Sequence, residues 1–155
     1  METLKDLDTN AIPTNYFFVK FRDKELKSSL VKTTTLPNQE SGRTIKMVLY
    51  NSELNKDGVT TFEKLINWMS ATHDDPRTYK EDIDICLLSI HNTMQTSTKF
   101  SLHGCKPYSV NILETLDYTK CDPTSISVEF CFDNYNISFP KEVDTENLKN
   151  GLIYS

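Results

Sequence analysis

The sequence predicts a mainly β domain of the α+β kind, an antiparallel β-sandwich or open barrel with one helix packed on it. Three observations predict it. Several short stretches alternate apolar and polar residues at the period of a strand, a single stretch carries a capped helical stripe, and 155 residues suffice for one core.

The residues Tyr16 to Arg22 are aromatic and β-branched, with Phe17, Val19 and Phe21 on one strand face and Lys20 and Arg22 on the other. Leu26 to Leu36 forms a second extended stretch whose threonines suit a pleated surface, and Pro37 ends it because proline cannot donate to a continuing ladder. Asn38 to Gly42 is a turn. Thr44 to Tyr50 is apolar on both faces, which suits a layer covered on both sides.

Thr60 and Glu63 stand at the spacing of a capping box, which satisfies backbone N–H groups left over in a first helical turn. Phe62, Leu65, Ile66 and Met69 then form one apolar stripe, with Trp68 on its flank. The run from Ala71 to Arg77 contains Asp-Pro and reads as a turn after the helix.

Beyond it, Asp82 to Ile90 alternates, with Ile83, Ile85 and Leu87 inward and Asp82 and Asp84 outward. Phe100 and Leu102 repeat the pattern after a polar hairpin. Gly104 and Pro107 are expected to break that ladder, and Ser109 to Leu116 to cross back. The clearest strand places Ile126, Val128, Phe130 and Phe132 on one face and Ser125, Ser127, Glu129 and Asp133 on the other. The domain is expected to span residues 1–139, followed by a tail, 140–155, that suits a short helix, a frayed end or a docking segment.

Charge and chemistry exclude several functions. Residues 1–80 carry a net +1 and residues 81–155 a net −6, with no basic stripe of the kind that holds a phosphate backbone, so sequence-specific nucleic-acid binding is not expected. No stretch is apolar enough to span a bilayer and the amino terminus lacks the pattern of a signal peptide, so no membrane contact and folding in a cytoplasm are expected. Cys86, Cys105, Cys121 and Cys131 form no C-x-x-C pair and read as reduced thiols.

His103 and Cys105 would share a strand face about 7 Å apart, beyond hydrogen-bond reach. Asp82 and Asp84 read as solvated carboxylates, and no histidines stand at metal-ligand spacing. No catalytic residue, metal or cofactor is expected, and the chain does not read as an enzyme.

The order of these residues resembles the tail tube proteins of contractile-tailed bacteriophages, with their relatives among tube-like baseplate proteins and contractile injection systems. The resemblance covers residues 13–135. It rests on Pro13-Thr14-Asn15-Tyr16-Phe17, the Lys32 to Pro37 strand ending in Leu36-Pro37, the helix FEKLINWM with Trp68, and Tyr79-Lys80 before Ile83-Asp84-Ile85. Its most specific part is residues 100–135, where Gly104, Pro107, Leu116-Asp117-Tyr118, Val128, Phe130 and Asp133 stand at the family's positions.

The resemblance implies a homo-oligomer, a six-membered ring whose inner strands join edge to edge into a continuous barrel. It implies a virion component, assembled in the host cytoplasm, whose lumen holds the tape measure and passes DNA. Its partners would be other tube, baseplate and sheath proteins. Six copies at −5 give a ring of roughly −30, and Asp82, Asp84, Glu129 and Asp133 are the candidates for lining the lumen, where like charge discourages phosphate adhesion. Family members insert a long hairpin that reaches the next ring where this chain has only Asn38 to Arg43. That points to a special ring at a baseplate or tube end, or to the 140–155 tail acting in the hairpin's place. A second reading is a non-enzymatic binding or assembly-chaperone module that adds a partner strand to its sheet.

Overall fold

A computed structural model describes residues 11–40, 42–75, 79–92 and 95–141. The elements are β1 (Phe17–Phe21), β2 (Val31–Thr34), β3 (Thr44–Tyr50), α1 (Thr61–Asp74), β4 (Glu81–Leu88), β5 (Thr96–Ile112), β6 (Ser125–Cys131) and β7 (Asn134–Ser138). Every strand pairing is antiparallel. The strands follow the path β1-β4-β5-β6-β3-β2 with β7 beside β5, and β1 and β2 at its ends do not pair, so the barrel is open. This is the fold class the alternation predicts.

β5 joins the two halves. Its amino-terminal part lies between β4 and β7, and its carboxyl-terminal part, from Lys106, pairs with β6. Between these parts Gly104 takes φ 69°, and the register against β4 slips so that Leu102 faces Ile83 while Cys105 faces Glu81. One extra residue on β5 makes this a bulge, which bends the strand from a first sheet (β1, β4, β5, β7) into a second (β5, β6, β3, β2). The expected break at Gly104 and Pro107 is thus corrected: the strand bends there and continues. Pro107 faces Phe130 on a half-strand whose one strand neighbour among the described residues is β6, where a missing N–H costs no second ladder. The expected crossing from Ser109 to Leu116 is the end of this same strand, and it stops at Ile112.

One core fills the space between the sheets. Val19, Ile83, Ile85 and Leu102 come from the first and Ile45, Met47, Leu49, Ile126, Val128 and Phe130 from the second, all buried. Burying each such side chain contributes about 1.5–3 kcal/mol, and a one-residue slip would turn the whole set outward, so this alternation sets the register. Phe18, Cys86 and Leu88 form a smaller buried cluster on the other face of the first sheet.

The helix begins as the capping box requires, with the Thr60 hydroxyl accepting from the Glu63 N–H at 3.1 Å. Leu65 is buried, and Phe62, Ile66, Trp68 and Met69 pack against the core. The helix continues through Ala71 to Asp74, residues the sequence assigns to a turn, and stops just ahead of the Asp75-Pro76 step.

Strand two is shorter than its pattern. Residues 28–30 form a 3-10 turn, and only Val31–Thr34 pair. The cause is Ser28, whose buried hydroxyl accepts the Val19 N–H at 2.8 Å and holds the approach to β2 against β1. β7 is a strand the alternation did not reveal. The expected tail lies outside the described residues from position 142 onward.

Candidate assembly interface

The sheets end in four margins: β1 and β7 for the first, β2 and the carboxyl-terminal half of β5 for the second. They are not equivalent. Along β1 the Ser28 hydroxyl takes the Val19 N–H, so that margin is closed in part by the chain itself. β2 and the second half of β5 each have one strand neighbour among the described residues. A groove of about 490 Å³ lined by Met69, His73, Lys106, Pro107 and Tyr108 runs between the end of α1 and the β5 margin.

The residues expected to matter fall into three groups. Leu36, Pro37, Trp68, Val128 and Phe130 are packing residues: Pro37, Val128 and Phe130 are buried, and Leu36 packs half-buried on the core. Trp68 lies with its ring centroid 5.4 Å from that of Phe130, and its Nε1–H donates to the Tyr79 carbonyl at 2.7 Å. That contact ties the helix to the start of β4, while the Tyr79 ring stays 47% exposed.

The second group surrounds the bend. The Lys80 Nζ pairs with Asp133 Oδ1 at 3.0 Å, the Asp133 N–H donates to the His103 carbonyl at 2.8 Å, and the Gly104 N–H donates to Asp82 Oδ1 at 3.2 Å. The ends of β4 and β6 are thereby tied to the bulge in β5. The resemblance singled out Lys80, Gly104 and Asp133, and the structure gathers them with Asp82 and His103 at one hinge.

Leu116, Asp117 and Tyr118 form the third group, on the loop between β5 and β6. Leu116 is 82% exposed and Tyr118 fully so. Asp117 Oδ1 accepts from the Thr119 N–H and hydroxyl, and those bonds hold its carboxyl below the usual range.

The four candidate lumen carboxylates stand on different surfaces. Asp82 and Asp84 lie on the outward face of the first sheet, Glu129 on the outward face of the second, and Asp133 at the hinge between them. Asp84 has Lys99 at 3.7 Å, Glu129 has Lys46 at 3.4 Å, and the Tyr108 hydroxyl also donates to Glu129. The Tyr108 bond, and behind it Lys46, keeps the Glu129 carboxyl below its ordinary range. Lys32, Lys46 and Lys106 share the second sheet's outward face with Glu129, so that face is locally mixed in sign.

The bulge also corrects the geometry of His103 and Cys105. They do not share a face: Cys105 is buried in the core, while His103 is outward and 43% exposed. Burial pushes the Cys105 thiol up to about 12, the reverse of what a nucleophile requires. All four cysteines are free thiols. Among the described residues no three His, Cys, Asp or Glu side chains come together as a metal site.

No protein-family model and no curated protein matches the sequence. Solved structures do. The chain superposes on a chain of the PVC extracellular contractile injection system's sheath–tube complex with a TM-score of 0.56, covering 90% of this chain and 99% of that one at 16% identity. This chain has the fold of contractile-system tube proteins. The sheath/tube terminator of the same system gives 0.55 at 16% identity over 83% of this chain and 96% of that one. Hcp1 of Flavobacterium johnsoniae gives 0.53 at 8% identity over 83% and 98%.

At these identities the fold is what is shared. Sequence reasoning missed three features of it: the Ser28 bridge, the bulge at Gly104 and strand β7. A glycine followed three positions on by a proline inside an alternating run was the one local signal for the bulge.

Proposed function

We propose that the chain is a non-enzymatic structural subunit of a contractile tail, assembled as a six-membered ring of the inner tube or of a tube-like baseplate or tube-end ring. The observation that carries the reading is the order and direction of strands in the second sheet. Its four strands alternate in direction from β5 through β6 and β3 to β2, so the two margins run opposite ways. Rotation about a ring axis leaves strand direction along that axis unchanged. The β2 margin of one copy therefore meets the β5 margin of the next in antiparallel sense, and the contact repeats until the ring closes. Closure removes both exposed margins at once.

On this reading the outward face of the second sheet lines the lumen. Glu129 faces the bore with Lys32, Lys46 and Lys106, Asp82 and Asp84 face away from it, and Asp133 stays at the hinge. A polyanion passing through meets short hydroxyl side chains and Lys–Glu pairs. The conduit would hold the tape measure before it passes DNA, with sheath and neighbouring rings as outer partners. The short β2–β3 turn suits a ring at a baseplate or tube end.

Electron microscopy of the purified chain, alone and with its cognate tail proteins, tests the proposal. Six-fold rings or tubes are expected, and Thr34→Pro should abolish them while the monomer stays folded, because the Thr35 N–H bonds the Lys46 carbonyl and the N–H of Thr34, opposite Met47, therefore points away from β3. A strictly monomeric chain in the presence of all those proteins would overturn it, and a one-to-one complex would favour a sheet-adding binding module instead.

A further inference from the structure

The β5–β6 connection, Leu113 to Thr124, is a built loop that holds apolar side chains out into solvent. Its base is fixed by the Leu113 N–H to the Ser125 carbonyl at 3.0 Å, the Ser125 N–H to Glu114 Oε1 at 2.6 Å and the Asn51 N–H to the Thr124 carbonyl at 3.0 Å. Its tip is turned by Asp117 accepting from Thr119. Within this frame Leu113 is 54% exposed, Leu116 82% and Tyr118 fully, and Ile112 at the strand end is 40% exposed. Scattered exposed apolar residues are ordinary, but three large ones on one short hydrogen-bonded connection, with Ile112 at the strand end beside them, make a preorganised contact surface.

The loop is also acidic, carrying Glu114, Asp117 and Asp122 against Lys120. In the amino-terminal half of the chain, Lys27 and Lys32 are exposed at the start of β2, with Lys32 lying over the Tyr50 ring at 5.0 Å. If β5 and β2 of adjacent copies run antiparallel, the Ile112 end of one strand stands beside the Val31 end of the other. The acidic apolar loop then arrives at the basic, aromatic start of β2.

We propose that the Leu113–Thr124 loop is a clasp that docks on a second copy of this chain, seating Leu116 and Tyr118 against the segment from Lys27 to Lys32 and its Tyr50. The inference rests on the ring reading above and adds the contact that orients and locks each joint. Aromatic and aliphatic anchors supply the affinity, and charge complementarity selects the register.

The test compares Leu116→Ala/Tyr118→Ala with Thr34→Pro and wild type. Both loop residues are solvent-exposed, so the double variant should fold and melt as wild type does. It should need roughly tenfold more protein to form rings in light scattering and electron microscopy. If Thr34→Pro abolishes rings while the loop variant assembles as wild type does, the clasp is overturned and the ring reading stands. If wild type forms no ring under any condition, the ring reading falls and the clasp with it.

Placement is read separately. Cys121 is exposed on the loop, and with Lys27→Cys a flexible bis-maleimide should join neighbouring copies into a covalent ladder absent from wild type. Rings that form without that ladder overturn the proposed seat.

Discussion

The Asp133 carboxylate occupies the space where a side chain on Gly104 would begin. A Cβ built on Gly104 overlaps Asp133 Oδ2, with the carboxylate carbon at 2.8 Å. The glycine therefore serves twice, once for φ 69° and once for the approach of a carboxylate that also pairs with Lys80.

Gly104→Ala is expected to destabilise the chain by about 1–2 kcal/mol from the left-handed backbone alone, with a further loss as Asp133 swings off Lys80. Asp133→Ala in the same chain should recover the smaller, steric part and leave the backbone part. Denaturant unfolding of the two single variants and the double variant separates these terms. Unchanged stability in Gly104→Ala would mean that the bulge does not constrain the bend.

His103 should make stability depend on pH. Its Nε2 lies 2.6 Å from Asn136 Oδ1 and its Nδ1 3.4 Å from Asp82 Oδ2, so it bridges β7 and β4 across β5. The Asn136 bond first, then Asp82 and more distantly Asp84, raises its pKa above the ordinary 6.5. A folded pKa above the unfolded one adds stability that is full below about 6.5 and lost as pH rises through the higher folded value. His103 is 43% exposed, so solvent screening keeps the effect small. Between about pH 5.5 and pH 8.5, the urea midpoint of wild type should fall more than that of His103→Gln. Parallel profiles would show that the bridge is not charge-dependent.

Ser28→Ala removes the acceptor of the buried Val19 N–H. Leaving that donor unsatisfied should cost roughly 1–3 kcal/mol and loosen the β1 margin. Unfolding measurements give the first quantity and amide hydrogen exchange at Val19 the second. A variant as stable and as protected as wild type would show that water replaces the hydroxyl there.

Much of the fold was legible because its signals are local. The strand that buries Ile126, Val128 and Phe130 needs only its own period of two, and the start of α1 needs only Thr60 and Glu63 three positions apart. Gly104 and Pro107 were visible but misread, since a strand that bends and one that ends carry the same residues. β7 escaped because its burial alternates weakly and it is held by pairing with β5 over Lys99 to His103.

By itself the sequence determined an antiparallel β fold with one capped helix and an acidic carboxyl-terminal half. These follow from periodicity, capping and composition, each of which acts within a few neighbouring residues. Only the tertiary structure decided that Cys105 is in the core while His103 is out, that Asp82 and Glu129 stand on different faces, and which sheet margins stay open. Those depend on one extra residue in β5 and on pairings between distant segments. A bulge reverses the facing of the residues that follow it until a second slip, here between Pro107 and Ser109, restores it, and no local pattern records that.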